Sequence, residues 1–272
     1  MRIRAVIVLM SILAVFAVSG LCAAGSNVVI NGSTTVLPIG QKSAELFMKG
    51  NQDVNISVSG GGSGNGIKAI IDGTCDIAMS SRFVKDKEIK LACEKGVYLV
   101  PHRVAIDCIV PVVHPSNPLN DIDLNTLKGI YTGNVTNWKA LGGSDKPIVV
   151  ISRDTSSGTY EVWQEKVLLK ERVMPRALLQ ASNGAVAQAV AGNPYAIGYV
   201  GIGYLNPHLK GLTVNGVVAS PATALNGTFP ISRALFMFTN GWPEGPAMSY
   251  LNYLLSPAGQ KMVETEGFVP LY

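Results

Sequence analysis

The chain has 272 residues, 47% hydrophobic and 15% charged, with a formal net charge of +4. So small an excess, without clustered Lys and Arg, excludes a protein that holds nucleic acid or membrane surfaces through charge. The cysteines include no CxxC, and His102, His114 and His208 stand far apart, so no zinc pattern is present.

Residues 1–24 carry Arg2 and Arg4, an apolar run from Ala5 to Val18, and then SGLCAAG, the layout of a secretory signal peptide. Cleavage is expected after Ala24. Lipid attachment at Cys22 is the alternative, disfavoured by Leu21 where a small residue is usually needed. The apolar run is shorter than the roughly 20 residues that span a bilayer, so the expected product is exported and soluble. Removing Arg2 and Arg4 leaves a net charge of +2 on about 248 residues, enough for one large domain or two lobes. Three cysteines remain. In an oxidising compartment one disulfide is expected, Cys75 with Cys93, leaving Cys108 an inert thiol in an apolar strand.

Past residue 25 the chain alternates short β-like and helix-like runs: NVVINGS, then VLPIGQKSAELFMKG; VNISVSG, then GIKAIIDG; CDIAMSS, then KDKEIKLACEKG. This order predicts an α/β fold, a mixed sheet with helices on both faces. The long stretch VYLVPHRVAIDCIVPVVH reads as two strands or as one passing between lobes. A second βα series follows with IVVISR, a helix-like EVWQEKVLLKER, AVAQAVAG and AIGYVGIGYL. FPISRALFMFTN is another long apolar strand, and PAMSYLNYLLSPAGQKMVETEG reads as helical. Two long strands bracketing a middle block predict two lobes joined by two crossings, residues 25–110 with 226–272 as one and 111–225 as the other.

Three segments place Ser, Thr and Gly between a strand and a helix: NGSTTVLP at 31–38, SGGGSGNG at 59–66 and RDTSSGTY at 153–160. A helix start needs Ser or Thr as a cap and nothing more. The glycines fit close approach of backbone to a ligand. Helix starts carry free amides and partial positive charge, so three of them outside the carboxyl ends of strands point to a pocket for a tetrahedral oxyanion. Enzyme motifs fail on the same residues: there is no GxxxxGK, no GxGxxG in the glycine run, and Asn65 stands where a GxSxG around Ser63 needs glycine. The reading is binding without chemistry and without a cofactor or metal.

GSTTVLP, SGGGSGNGIKAI, DIAMSSR, YTGNVTNWKALGGSDKPIVVISRDTSSGTYEVW, SNGAVAQAVAGNPYAIGYVGIGYL and FPISRALFMFTN together resemble the phosphate-binding proteins of bacterial phosphate ABC transporters, the PstS family, along nearly the whole exported chain. The resemblance implies a type II periplasmic binding fold, two α/β lobes closing on a ligand in the cleft. It implies that Ser33, Thr34 and Thr35, then Ser63, then Arg153, Ser157, Gly158 and Thr159 bind phosphate, with Ser156 able to share the role of Ser157. Arginine suits this task because its planar fork matches two oxygens. Asp154 is expected to cap the helix or pair with Arg153.

One departure concerns selectivity. Many members of the family carry an aspartate after the serine of the third strand to accept the phosphate proton; here that position is Ser81, itself counted among the expected phosphate-binding residues and followed by Arg82. Asp107, an acid in the apolar run RVAIDCIV, is the candidate replacement, its alternative being a structural partner of Arg82 or Arg103. The expected function is a monomeric extracytoplasmic carrier that captures inorganic phosphate and delivers it to a membrane-embedded ABC permease. The alternatives are a carrier of sulfate, molybdate or tungstate, a phosphatase-like enzyme, or a sensory or adhesive module that kept the fold.

Overall fold

The computed structural model describes residues 26–272. The expected signal segment, its cleavage point and Cys22 lie outside them. The first half comprises β1 (Ser26–Gly32), α1 (Leu37–Gly50), β2 (Val54–Gly60), α2 (Ser63–Ile71), β3 (Ile77–Ser80), α3 (Asp86–Glu94) and β4 (Leu99–Val113). Next come β5 (Asp121–Ile122), α4 (Leu124–Thr132), β6 (Val149–Arg153), α5 (Gly158–Lys166), β7 (Leu178–Gln180), α6 (Asn183–Ala191) and β8 (Ala196–Gly201). The chain closes with β9 (Lys210–Gly211), β10 (Thr213–Val214), α7 (Pro221–Leu225), β11 (Ser232–Asn240), α8 (Gly245–Leu255) and α9 (Pro257–Thr265).

The strands form a mixed sheet in the order β2-β1-β3-β11-β4-β8-β6-β7, with β9 also on β4 and a separate β5–β10 pair. β1 alternates as a one-sided strand should, burying Val28, Ile30 and Gly32. α1 buries Ile39, Ser43 and Phe47, four residues apart and so on one face. The long apolar run is one strand, not two. β4 pairs antiparallel with β11 as far as Cys108, then with β8 from Ile109 to Val113. Its two ends therefore belong to different cores: Val104 and Ala105 pack with Ile30, Ile39, Phe47 and Met237, whereas Val110 and Val112 pack with Tyr131, Trp163 and Tyr199. Burying each of these large apolar side chains contributes about 1.5–3 kcal/mol, so both halves carry a core of their own. This is the curled, two-lobed α/β architecture expected.

Three local expectations are corrected. The helix-like stretch 161–172 stops at Lys166, because Leu169 and Lys170 turn into the left-handed region at φ 51° and 71°. The C-terminal helical run is two helices, broken where Pro257 cannot continue the first and Ser256 caps the second by accepting from Gly259 N at 3.3 Å. Among the described residues Cys75, Cys93 and Cys108 are free thiols, Cys93 exposed and the other two buried, so the expected Cys75–Cys93 disulfide is not formed. Cys108 does sit in an apolar strand, and burial pushes its thiol up to about 12. Among the described residues no helix is long and apolar enough to cross a membrane.

Candidate anion site between the two halves

Four helix starts meet where the two halves of the sheet face each other. The first follows β1, where Ser33 turns its hydroxyl inward to accept from Thr35 N at 3.2 Å and Val36 N at 3.4 Å. This leaves Thr34 and Thr35 at the front of α1, both buried. At the second, Ser63 opens α2 and its Oγ accepts from Ser81 N at 3.0 Å, with Ser81 Oγ 3.3 Å away. The third, α5, is capped by Ser157, whose Oγ accepts from Tyr160 N at 3.2 Å. The fourth, α6, is capped by Ser182 and begins with Asn183. Sequence reading missed this one as a site element, although Ser182-Asn183-Gly184 repeats the polar strand-to-helix pattern of the other three.

Glycine at 158 is what lets the third start meet the second. A Cβ there would lie 2.4 Å from Ser63 Oγ and 2.8 Å from Ser81 Oγ, inside any permitted contact. Ser63, Ser81 and Gly158 therefore form one wall. On the other, Thr35 Oγ1 and Thr159 Oγ1 share a hydrogen bond of 2.9 Å, and Asn183 Nδ2 donates to Thr34 Oγ1 at 3.1 Å and Thr35 Oγ1 at 3.0 Å. Tyr204 adds its hydroxyl to the carbonyl of Thr34.

Two buried arginines flank these hydroxyls. Arg153 leaves the end of β6 and is fixed by donating from Nε to Gln180 O at 2.9 Å and from Nη2 to Ala181 O at 3.0 Å. Its Nη1 is buried with no hydrogen-bond partner among the described residues. Burial lowers its pKa from the usual arginine value. An orphaned guanidinium N–H is costly and calls for an acceptor. Arg233, which sequence reading also missed, leaves β11 and donates from Nη2 to Thr159 Oγ1 at 3.0 Å and Thr35 Oγ1 at 3.3 Å.

Asp107 is the cross-strand neighbour of Arg233 in the β4–β11 register. It is fully buried, and Oδ2 accepts from Arg233 Nε at 2.9 Å and Nη2 at 2.8 Å while Oδ1 accepts from Ile202 N at 2.9 Å. Its partner is thus neither Arg82 nor Arg103. Burial raises its pKa, opposed by the guanidinium. Asp107 stands behind Arg233 rather than at the front of the hydroxyl cluster. Asp154 accepts from Ser156 N at 2.8 Å and lies 3.8 Å from Arg153 Nη2, shaping the turn before α5. The histidines stand apart from the cluster: His102 meets Thr239, His114 meets Ser116, and His208 is exposed. Among the described residues no group of His, Cys, Asp or Glu could hold a metal ion.

A family model described as a PBP superfamily domain matches residues 19–258. The phosphate-binding protein PstS of Bacillus subtilis is 33% identical, the match covering 91% of this chain and 82% of that protein, and PstS of Pseudomonas aeruginosa is 30% identical over 88% and 81%. The chain belongs to the PstS family of the PBP superfamily. Among solved structures, a phosphate ABC transporter substrate-binding protein of Clostridium perfringens, with bound phosphate, superposes with a TM-score of 0.85 at 34% identity, covering 91% of this chain and all of that one. A phosphate transport receptor of Vibrio cholerae gives 0.73 at 28% identity, covering 89% and 99%. Just past the end of β3, Ser81 stands in the hydroxyl cluster and Arg82 turns away from it toward Glu88.

Proposed function

We propose that this chain captures inorganic phosphate outside the cytoplasm and delivers it to a membrane-embedded ABC permease. It is a solute-binding protein rather than an enzyme. The observation that carries the reading is the buried, partnerless Nη1 of Arg153 at a place where four helix starts converge. Amides, hydroxyls and two guanidinium groups converge there, and such donors favour a tetrahedral oxyanion in a water-poor site.

In this reading Arg153 takes one phosphate oxygen through Nη1, while Thr34, Thr35, Ser63, Ser81, Gly158 and Thr159 supply hydroxyls and amides to the others. Ser33 and Ser157 hold the two turns through their caps. Asp107 keeps Arg233 aimed at Thr35 and Thr159, and its carboxyl is the acid nearest to a ligand proton. Residues 25–110 with 226–272 form one lobe and 111–225 the other, joined where β4 passes from β11 to β8 and where the chain returns into β11, so closing the lobes assembles the site. The working protein is an exported monomer with its leader removed after Ala24, and needs no cofactor.

A second reading rests on Asp107 as well. Both carboxylate oxygens are engaged by Arg233 and Ile202, so Asp107 serves its arginine before it serves a ligand proton, which favours a fully ionised anion such as sulfate, molybdate or tungstate. Retention of radiolabelled phosphate on gel filtration separates the two. Phosphate should travel with the protein and be displaced by unlabelled phosphate and not by sulfate; displacement by sulfate at equal concentration would favour the second reading.

A further inference from the structure

Arg82 follows Ser81 and is 7% exposed, yet points away from the anion cluster. Its Nη1 donates to Glu88 Oε2 at 2.8 Å and to Phe83 O at 2.8 Å, and its Nη2 donates to Glu88 Oε1 at 2.7 Å. Its Nε lies 2.7 Å from Oε2 of Glu161, an ion pair out of line for a hydrogen bond. Lys85 Nζ reaches the same Glu161 oxygen at 2.5 Å. Arg82, Lys85 and Glu88 belong to the first half of the fold and Glu161 to the first turn of α5 in the other, so Glu161 crosses the cleft. The carboxylates raise the pKa of Arg82 despite the opposing effect of its burial.

Two cations facing two carboxylates leave no net charge, and the Arg82 N–H groups already face oxygens, so this cluster does not bind the anion. Its position is the telling feature. Arg82 is covalently next to Ser81, and Glu161 stands one turn beyond Gly158 and Thr159. A backbone bond from Gly64 N to Ser156 O at 2.9 Å ties the same two halves together. Separating the halves would return Glu161 and Lys85 to water while Arg82 kept Glu88. The Glu161 contacts therefore exist only in the closed form, and a contact present in one of two states shifts the equilibrium by its full differential strength.

We infer that Glu161 is a positioning residue that clasps the closed form: by pairing with Arg82 and Lys85 across the cleft it presses the start of α5 onto Ser63 and Ser81 and slows release of the anion. Half-exposed Lys85 leaves the pair open to salt, so the clasp loosens as ionic strength rises. The inference rests on the phosphate reading only for its probe, inorganic phosphate.

The test is a double-mutant cycle with Glu161→Gln and Lys85→Gln in the full exported chain, measuring phosphate affinity and release rate by calorimetry and stopped flow at low and high salt. E161Q should weaken binding about three- to tenfold, chiefly through faster release, and flatten the salt dependence of the release rate. K85Q should have a smaller effect that disappears in the E161Q background. Unchanged release in E161Q, or single effects that simply add, would overturn the clasp. Should E161Q not fold, K85Q alone decides, since exposed Lys85 has no core role: an unchanged release rate and salt response would overturn the clasp. If the parent protein binds another oxyanion instead of phosphate, the phosphate reading fails and the same cycle, run with that oxyanion, still decides the clasp.

Discussion

Thr35 and Thr159, 124 positions apart in the chain, meet hydroxyl to hydroxyl at 2.9 Å, and Arg233 Nη2 donates to both. One threonine opens α1 and the other lies in the first turn of α5, so the contact joins the two halves of the sheet at the point where the anion is proposed to sit. Arg233 stays in place because Asp107 holds it from behind. The arrangement is a chain of dependence: the β4–β11 register sets Asp107 opposite Arg233, Asp107 aims Arg233, and Arg233 bridges the two helix starts.

Arg153→Ala should weaken phosphate binding at least tenfold, as removal of a charged hydrogen-bond donor generally does. The circular dichroism spectrum should not change. Arg153→Lys should fail nearly as badly, because one ammonium cannot hold Gln180 O and Ala181 O and also supply the direction now taken by Nη1. Calorimetry on the three proteins checks both statements.

Gly158→Ala tests closure instead of charge. The added methyl would meet Ser63 Oγ at 2.4 Å, and Ser63 is itself fixed by Ser81 N. Affinity should fall by more than tenfold with little loss of thermal stability, since the strain arises only when the halves meet. Small-angle scattering should show a smaller compaction on adding phosphate than in the parent.

Asp107→Asn should destabilise the fold by about 3–5 kcal/mol, because it leaves Arg233 buried without its carboxylate. Pairing it with Arg233→Met should recover much of that loss in thermal unfolding while leaving phosphate binding impaired. A double variant as unstable as D107N alone would show that Asp107 matters for some reason other than its arginine.

Much of this site could be read from short stretches. Thr34, Thr35, Ser63 and Gly158 announce themselves locally, because a strand, a small polar cluster and a helix follow each other within ten residues. Arg233 and Asn183 did not. Arg233 matters only through register with Asp107, 126 residues away, and nothing near Ile231-Ser232-Arg233 says which strand lies beside it. Asp107 was visible as an anomaly, a carboxylate in an apolar strand, while the identity of its partner was not. Cysteine spacing likewise says nothing of distance, so Cys75 and Cys93 suit a pair by sequence and are free in the fold. The end of α5 at Lys166 was equally hidden: Leu168 is buried in the core and Leu169 and Lys170 take left-handed backbone, neither of which the helical pattern of residues 161–172 announces.

Acid should loosen the Arg82 cluster. The Arg82 guanidinium and the Lys85 amide hold Glu88 below its ordinary value of 4.5, against the effect of burial. A carboxyl depressed in the folded state contributes stability that is fully present above its unfolded pKa and is lost as pH falls through the lower folded value. Unfolding midpoints should therefore fall below about pH 4.5 more steeply in the parent than in Glu88→Gln, which lacks the titrating group. Equal slopes would mean the ion pair adds nothing to the folded state.

The most direct test of phosphate capture is titration calorimetry of the chain from Gly25 to Tyr272, unfolded and refolded to remove carried ligand, against phosphate, sulfate, molybdate and tungstate at several pH values. One-to-one phosphate binding with little heat from the other three is the expected result, and would leave Asp107 or a hydroxyl as the acceptor of the phosphate proton. Preference for sulfate, molybdate or tungstate, or no heat with any of the four, would contradict it.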